Sequence, residues 1–394
     1  MTIRDRVLIA GAGPVGMVAA ASLVRHGVPV TVLEANASLS EESRASTFHP
    51  PTLDMLDALG AAEPLIAQGL VAPQFQYRSR ERVIAQFDFK GIADATAHPF
   101  RLQCEQSRLT RILLERLLPA GNFEIVFSSP VHDVTQTADG VAVSVLRDGR
   151  IETETARFLI GADGARSETR NALDIAFEGF TWPERFLVIS TPFDFHSVID
   201  DLVCVNYVAD PQRWHFLLQI PGVWRVMFPI AAEESDARAV SPEFAQALMA
   251  EVVPGIDRYE IAHTTLYRVH QRVATTFRER RAFLIGDAAH INNPLGGMGM
   301  NGGIHDAINL TERLAAVWHG SQGEAELDRF DKQRRLVTKE YVEKQSIQNK
   351  KNLEAPGTEF RDRLTAIAAD AAKTREYLLA VSMIASLKRA QELG

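Results

Sequence analysis

Arg6-Val7-Leu8-Ile9-Ala10-Gly11-Ala12-Gly13-Pro14-Val15-Gly16 is the stretch from which the rest of this chain is read. Val7 to Ala10 is an uninterrupted apolar run, the pattern of a parallel strand buried on both faces. Glycines at 11, 13 and 16 permit a tight turn, close approach of a pyrophosphate, and close packing of a helix on the strand. The helix predicted from Val15 to His26, stopped by Gly27, turns free N–H groups and the positive end of its dipole toward that turn. Val30 to Leu33 reads as a second strand, closed by Glu34, where an acid can accept hydrogen bonds from a ribose diol. The unit predicts a dinucleotide site, with a purely structural turn as the alternative, and it does not separate FAD from NAD.

Two more strand ends farther along carry the same punctuation. Phe158-Leu159-Ile160-Gly161-Ala162-Asp163-Gly164-Ala165-Arg166-Ser167 runs on to Arg170. Ala282-Phe283-Leu284-Ile285-Gly286-Asp287-Ala288-Ala289-His290 continues through Pro294-Leu295-Gly296-Gly297-Met298-Gly299-Met300-Asn301 into a predicted helix. In both, a buried strand ends at a carboxylate that can bind a hydroxylated chain or simply cap the turn. Between these anchors, 50–70 reads as helical after Pro50-Pro51, and 107–118 as an amphipathic helix. Alternating segments at 123–127, 141–145 and 156–160, with Asp139-Gly140 and Asp148-Gly149 as turns, predict a meander. Residues 185–230, rich in alternating aromatics, predict an antiparallel sheet separate from the parallel one. The tail is predicted helical over about 324–352 and 358–392; its apolar residues, Leu378 to Leu387, suit packing on the nucleotide domain or a partner subunit, with a membrane-surface helix as the alternative.

Composition narrows the classes. The chain has 394 residues, 46% hydrophobic and 23% charged, with a net charge of −8, an ordinary globular balance. No basic run points to nucleic acid. No stretch approaches the ~20 apolar residues of a membrane span, and the N-terminus has no signal-peptide pattern. Cys104 and Cys204 stand outside any metal or redox motif, which favours a reduced, cytoplasmic pair. His290 and His305 lack ligand spacing, so no metal site is expected.

The three glycine motifs, in this order and spacing, resemble those of the group A FAD-dependent aromatic monooxygenases, the para-hydroxybenzoate-hydroxylase-like family. The resemblance covers residues 5–45 and 100–345. It implies an α/β fold: a Rossmann-like FAD-binding domain, discontinuous over 1–75, 101–175 and 270–320; an inserted antiparallel β-sheet substrate domain over 76–100 and 176–269; and a helical C-terminal region over 321–394. It implies that Gly11, Gly13 and Gly16 line the FAD pyrophosphate, Glu34 the adenosine ribose, and Asp287 the ribitol–pyrophosphate region. Asp163 belongs to a motif associated with both FAD and NAD(P)H. Gly297, Gly299, Met300 and Asn301 approach the isoalloxazine, Arg44 and Gln106 contact the flavin, and Pro294 shapes the substrate side of the ring. A surface salt-bridging arginine is the alternative for Arg44.

The implied reaction uses NADH or NADPH as transient co-substrate and O2, through a C4a-hydroperoxyflavin that attacks a phenolic or N-heteroaromatic ring. Water must be kept out, and a base or hydrogen-bond partner for a phenol is expected. Tyr207, His215 and Arg225 are the candidates. Arg213 or Arg225 could also hold a substrate carboxylate bidentately; packing is the alternative for His215, and surface salt bridges for the two arginines. His49 and Cys104 fall near the flavin in sequence, though structural roles suit them better. Rival readings are a flavoprotein dehydrogenase, a flavin-binding regulator without catalysis, and a halogenase. The halogenase is disfavoured because Gly222–Pro229 carries one tryptophan. A monomer or homodimer is expected.

Overall fold

The computed structural model describes residues 2–42, 45–210, 212–354 and 357–393. Val7–Ala10 sits at the centre of a six-stranded sheet ordered Arg278–Glu279, Ala282–Leu284, Phe158–Gly161, Val7–Ala10, Val30–Leu33, Phe123–Val126. All pairings are parallel except the short hairpin at the Arg278–Glu279 edge. Strand alternation sorts its two faces. Val7 and Ile9 join a core under the helices Pro14–Arg25, Gln106–Leu117 and Met298–Trp318. Leu8 and Ala10 pack instead against Val141, Val143 and Val145, on the antiparallel meander Val131–Gln136, Val141–Arg147, Arg150–Ala156.

The meander differs from the one expected. Phe123–Val126 and Phe158–Gly161 belong to the parallel sheet, and Val131–Gln136 and Arg150–Ala156 flank the central strand. The polar strand Arg150–Ala156 is largely exposed, so it lacks the apolar signal that marks a strand. Asp148 and Gly149 both take positive φ (48° and 74°) at its hairpin, as such a turn requires. The 50–70 helix is two, Pro50–Ala58 and Ala62–Ile66, parted at Gly60.

A second, eight-stranded sheet is ordered His290–Ile291, His263–Ala274, Phe177–Thr191, Val223–Ile230, His215–Ile220, Val205–Val208, Gln74–Arg78, Val83–Asp88. Its pairings are antiparallel apart from the one between Val205–Val208 and Gln74–Arg78. One face carries Phe75, Tyr77, Phe87, Tyr207 and Leu218. The opposite face carries Leu217, Val226 and Phe228 against the helix Pro242–Val252. A small sheet, Thr47–Phe48, Arg101–Gln103, Leu70–Ala72, touches both cores, with Phe48 and Leu102 in the first and Ala72 in the second.

The tail from Glu326 is helical. A π-helical stretch, Thr338–Glu343, separates Glu326–Val337 from Lys344–Glu354. The 358–392 span is three helices, Thr358–Ala368, Ala371–Val381 and Ile384–Glu392, the last two parted at Met383 with φ 69°. Leu378, Val381 and Ile384 are buried with Phe75 and Phe87, while Met383 is buried with Met298 at the start of the long helix, so this segment packs on the second sheet and on the nucleotide-binding half. Among the described residues no helix is long and apolar enough to cross a membrane.

Candidate active site

The three glycine motifs meet in space. Gly11 has φ +99°, and a side chain there would come 2.5 Å from the carbonyl oxygen of Ala162 in the second motif. A methyl on Gly16 would overlap the Gly11 carbonyl, so the helix Pro14–Arg25 seats directly on the strand it follows. Val15 of that helix touches Gly286 of the third motif. Arg170 closes the set: its guanidinium donates to the Ala288 carbonyl at 2.9 Å and to Ala165 at 3.0 Å, 4.0 Å above the Phe177 ring.

Around this junction lie the features an elongated nucleotide needs. Gly13 faces open space, where a phosphate can approach, and the helix it precedes has no side-chain cap on its N–H groups. Glu34 accepts from the Ala12 N–H at 2.7 Å and from the Asn36 backbone and side chain at 2.9 and 2.7 Å. It therefore pins the turn; Oε1 takes both Asn36 donors, while Oε2 takes only the Ala12 N–H and keeps a second lone pair for a diol. Asp163 accepts from the Ser167 hydroxyl at 2.6 Å and the Thr169 N–H at 2.9 Å, the turn-capping role, while Asp287 is exposed at its strand end.

The long helix Met298–Trp318 starts from Gly297, left-handed at φ 67° and without a side-chain cap. Its first-turn N–H groups, on Met298, Gly299 and Met300, have no acceptor earlier in the helix. Asn301 holds this start in place, accepting from the His49 N–H at 2.9 Å and donating to the Thr47 and Gly297 carbonyls at 2.8 and 2.6 Å. Pro294 is exposed just before the turn, and Gln106, half-buried, begins its helix. Arg44 lies outside the described residues.

The turn rests on a buried charge network that the sequence reading did not single out. Asp306 accepts from the Gly286 N–H at 3.1 Å, pairs with His290 Nε2 at 2.7 Å and takes Arg334 Nε at 2.7 Å. Burial alone would raise its carboxyl, but His290 and Arg334 outweigh burial and hold it below the usual carboxylate range. His305 instead bonds Thr52 at 2.9 Å. Burial, with the nearby Arg334 charge, lowers its pKa to about 3.

The substrate-side candidates do not converge. Val208 pairs with His215 and Tyr207 with Phe216, so Tyr207 and His215 lie on opposite faces of the sheet. His215 packs against Phe228 on the face away from the glycine turn, and burial lowers its pKa to about 4. Arg213 pairs with Glu251 at 3.0 Å. Arg225 is buried; it donates to Ser46 Oγ at 2.8 Å and pairs with Glu105, so it ties the second sheet to the segments flanking Arg44 and Gln106. Tyr207 stacks on Tyr77 with ring centroids 5.1 Å apart, and the Tyr77 and Tyr377 hydroxyls lie 3.2 Å apart. Burial raises both partners, Tyr377 to about 12, so they stay neutral donors near pH 7. Cys104 is buried and raised to about 11 by burial, which makes it inert. Both cysteines are unpaired.

Next to this cluster stand polar groups with unused atoms. His49 Nε2 lies 2.8 Å from the Gly296 carbonyl, which can only accept, so Nε2 donates and the buried Nδ1 is left without a partner. Burial, then the charge of Arg101, keeps that ring well below 6.5 and therefore neutral. Gln103 Nε2 and Arg101 Nε are likewise buried without partners. His49 was noted in the sequence as falling near the flavin, but nothing marked Arg101 or Gln103, because a lone Arg or Gln on a short strand reads as surface.

Comparison with known proteins adds the family. Residues 4–345 match the model of a family described as FAD binding domain. A para-nitrophenol 4-monooxygenase from Pseudomonas sp. (strain WBC-3) is 34% identical over 87% of this chain and 85% of its own length. The 6-hydroxy-3-succinoylpyridine 3-monooxygenase HspB of Pseudomonas putida (strain DSM 28022 / S16) is 34% identical over 96% of this chain and 98% of its own. The crystal structure of p-nitrophenol 4-monooxygenase PnpA from Pseudomonas putida DLL-E4 superposes with a TM-score of 0.90 at 30% identity, covering 99% of both chains.

Proposed function

Since this chain belongs to the FAD binding domain family, as one of its FAD-dependent aromatic monooxygenases, we propose a division of labour among its residues and a substrate class. When bound, FAD accepts hydride from NAD(P)H and activates O2, so that one oxygen atom reaches the ring and the other leaves as water. The chain holds and screens that chemistry. Gly11, Gly13 and Gly16 admit the pyrophosphate to the helix start, and Glu34 takes the adenosine ribose while pinning the turn. Asp287 takes the ribityl end. The uncapped N–H groups after Gly297, fixed by Asn301, face the electron-rich edge of the isoalloxazine and stabilise negative charge there. Arg225 ties the second sheet to Ser46 and Glu105, beside Gln106.

The substrate is a flat phenol or hydroxylated N-heteroaromatic of the nitrophenol or hydroxypyridine kind. It lies between the Gly296–Gly297 turn and the face bearing Tyr207, where Pro294 and the packed aromatics exclude water. The domain limits proposed are 1–75, 101–175 and 270–320 for FAD, 76–100 and 176–269 for substrate, and 321–394 for the helical region. We infer a cytoplasmic enzyme, a reading supported by its use of NAD(P)H, acting as a monomer or homodimer.

The observation carrying this reading is the contact of all three motifs: Gly11 against Ala162, Val15 against Gly286, and Arg170 on the Ala288 carbonyl. The test is to reconstitute purified protein with FAD and screen nitrophenols, hydroxybenzoates and hydroxypyridines for stimulated NAD(P)H oxidation. At least one should be consumed with O2 in equal amount and yield a product heavier by one oxygen. Reconstituted flavoprotein that turns over none of the three classes would end the substrate assignment.

A further inference from the structure

Arg101 heads the short strand Arg101–Gln103 and is 2% exposed. Among the described residues it has no carboxylate in ion-pair range, and its Nε has no hydrogen-bond partner. Its guanidinium lies 4.7 Å from the centre of the Phe75 ring and 5.5 Å from that of Phe89. Aromatic faces return only part of what burying a cation costs. A buried guanidinium is otherwise met by an oxyanion, which its planar fork binds through two parallel N–H groups.

The position is informative. The strand pairs through Gln103 with Thr47, two residues before His49, whose ring bonds the Gly296 carbonyl. On its other side are Phe75 and, within electrostatic reach, Tyr77 and Tyr377. Arg101 thus stands between the glycine turn and the aromatic face. Gln103, buried with Nε2 unpartnered, adds a second donor on the same side of the strand, and His49 Nδ1 adds an acceptor. The charge is one-sided: the neighbours are neutral tyrosines and a neutral histidine, and among the described residues no carboxylate pairs with the arginine.

We propose that Arg101 is the specificity-determining residue of the substrate pocket: its guanidinium, helped by Gln103, receives an oxyanion borne directly on the aromatic ring. This rests on the monooxygenase reading above and goes beyond it by stating the charge of the preferred ligand. Phenolate and aryl carboxylate are the two sources of that oxyanion. Arg213 and Arg225, the arginines first considered for this task, are already paired with Glu251 and Glu105.

The experiment uses the FAD-loaded enzyme without NAD(P)H, reading ligand binding from perturbation of the flavin spectrum. The probes are 4-nitrophenol above its ionisation, its neutral methyl ether 4-nitroanisole, benzoate and neutral benzamide. Wild type should bind at least one anion on the order of tenfold more tightly than its neutral counterpart. Whether phenolate or carboxylate shows the preference identifies the source. Arg101→Met should weaken the preferred anion on the order of tenfold to a hundredfold and the neutral probe less than about threefold, with Arg101→Lys intermediate and FAD content unchanged. In turnover, KM should rise more than kcat falls. Equal loss for anion and neutral probe, loss of FAD, or no preference in wild type would overturn the assignment. The wild-type comparison stands even if Arg101→Met fails to fold. Failure of the monooxygenase reading would appear separately, as absent oxygen uptake with intact anion preference.

Discussion

At the glycine end of the parallel sheet the backbone does the recognising: carbonyls, N–H groups and helix starts are brought so close that a single methyl would collide. In the second sheet the backbone is regular outside the bulge near Gly179, whose φ is +138°, and on the function proposed above packed side chains carry the selectivity. The first region tolerates almost no change in shape; the second has exchangeable rings around a few charged or polar groups. One fold can therefore keep its cofactor fixed and vary its substrate, which fits the spread of nitrophenol and pyridine names among its relatives.

The contrast can be broken by mutation. Arg334 lies beneath the glycine junction, fully buried and bonded to Asp306 at 2.7 Å. Arg334→Met removes one partner of a buried ion pair and should cost about 3–5 kcal/mol, measured by urea unfolding of the FAD-loaded protein. A loss under about 1 kcal/mol would mean the junction is less tightly determined than the geometry requires. Gly16→Ala should cost about 1–3 kcal/mol through overpacking and release FAD, seen as flavin in the filtrate after ultrafiltration. Retained flavin would erase the distinction between the two halves.

An effect read against pH sharpens the picture of the second sheet. His49, His215 and His305 are buried and neutral, with pKa values below that of the unfolded chain. Below about pH 6.5 the unfolded state binds protons that the folded state refuses, so stability falls as pH falls. Each histidine contributes about 1.4 kcal/mol per pH unit across its window, which for His215 runs from the unfolded value down to about 4. Unfolding titrations at pH 7, 6 and 5 should show this slope, and His215→Phe should remove roughly one histidine's share of it. An unchanged slope would show that His215 is hydrated.

The glycine junction was legible because its signals are local: a strand, a turn and a helix start follow one another within a few residues, and each has its own chemistry. The pairing of Phe123–Val126 with the parallel sheet was missed because register is a long-range property that a short apolar run does not encode. Alternation alone could have separated Tyr207 from His215 only if the pairing of their two strands were known. Arg101 and Tyr377 were invisible for a plainer reason. Tyr377 reaches Tyr77 across 300 positions, and burial of a lone arginine depends on rings from Phe75 and Phe89 that no spacing rule connects to it.

His290–Ile291 belongs to the second sheet, while Gly286, four residues earlier, belongs to the first sheet's junction. The loop that ends at Gly297 is therefore strung between two bodies. Sliding one body past the other has to be absorbed by rotation at Gly296 and Gly297, whose φ angles are +100° and +67°. If the proposed flavin placement holds, a shift on the aromatic side would be transmitted through this loop to the amides after Gly297.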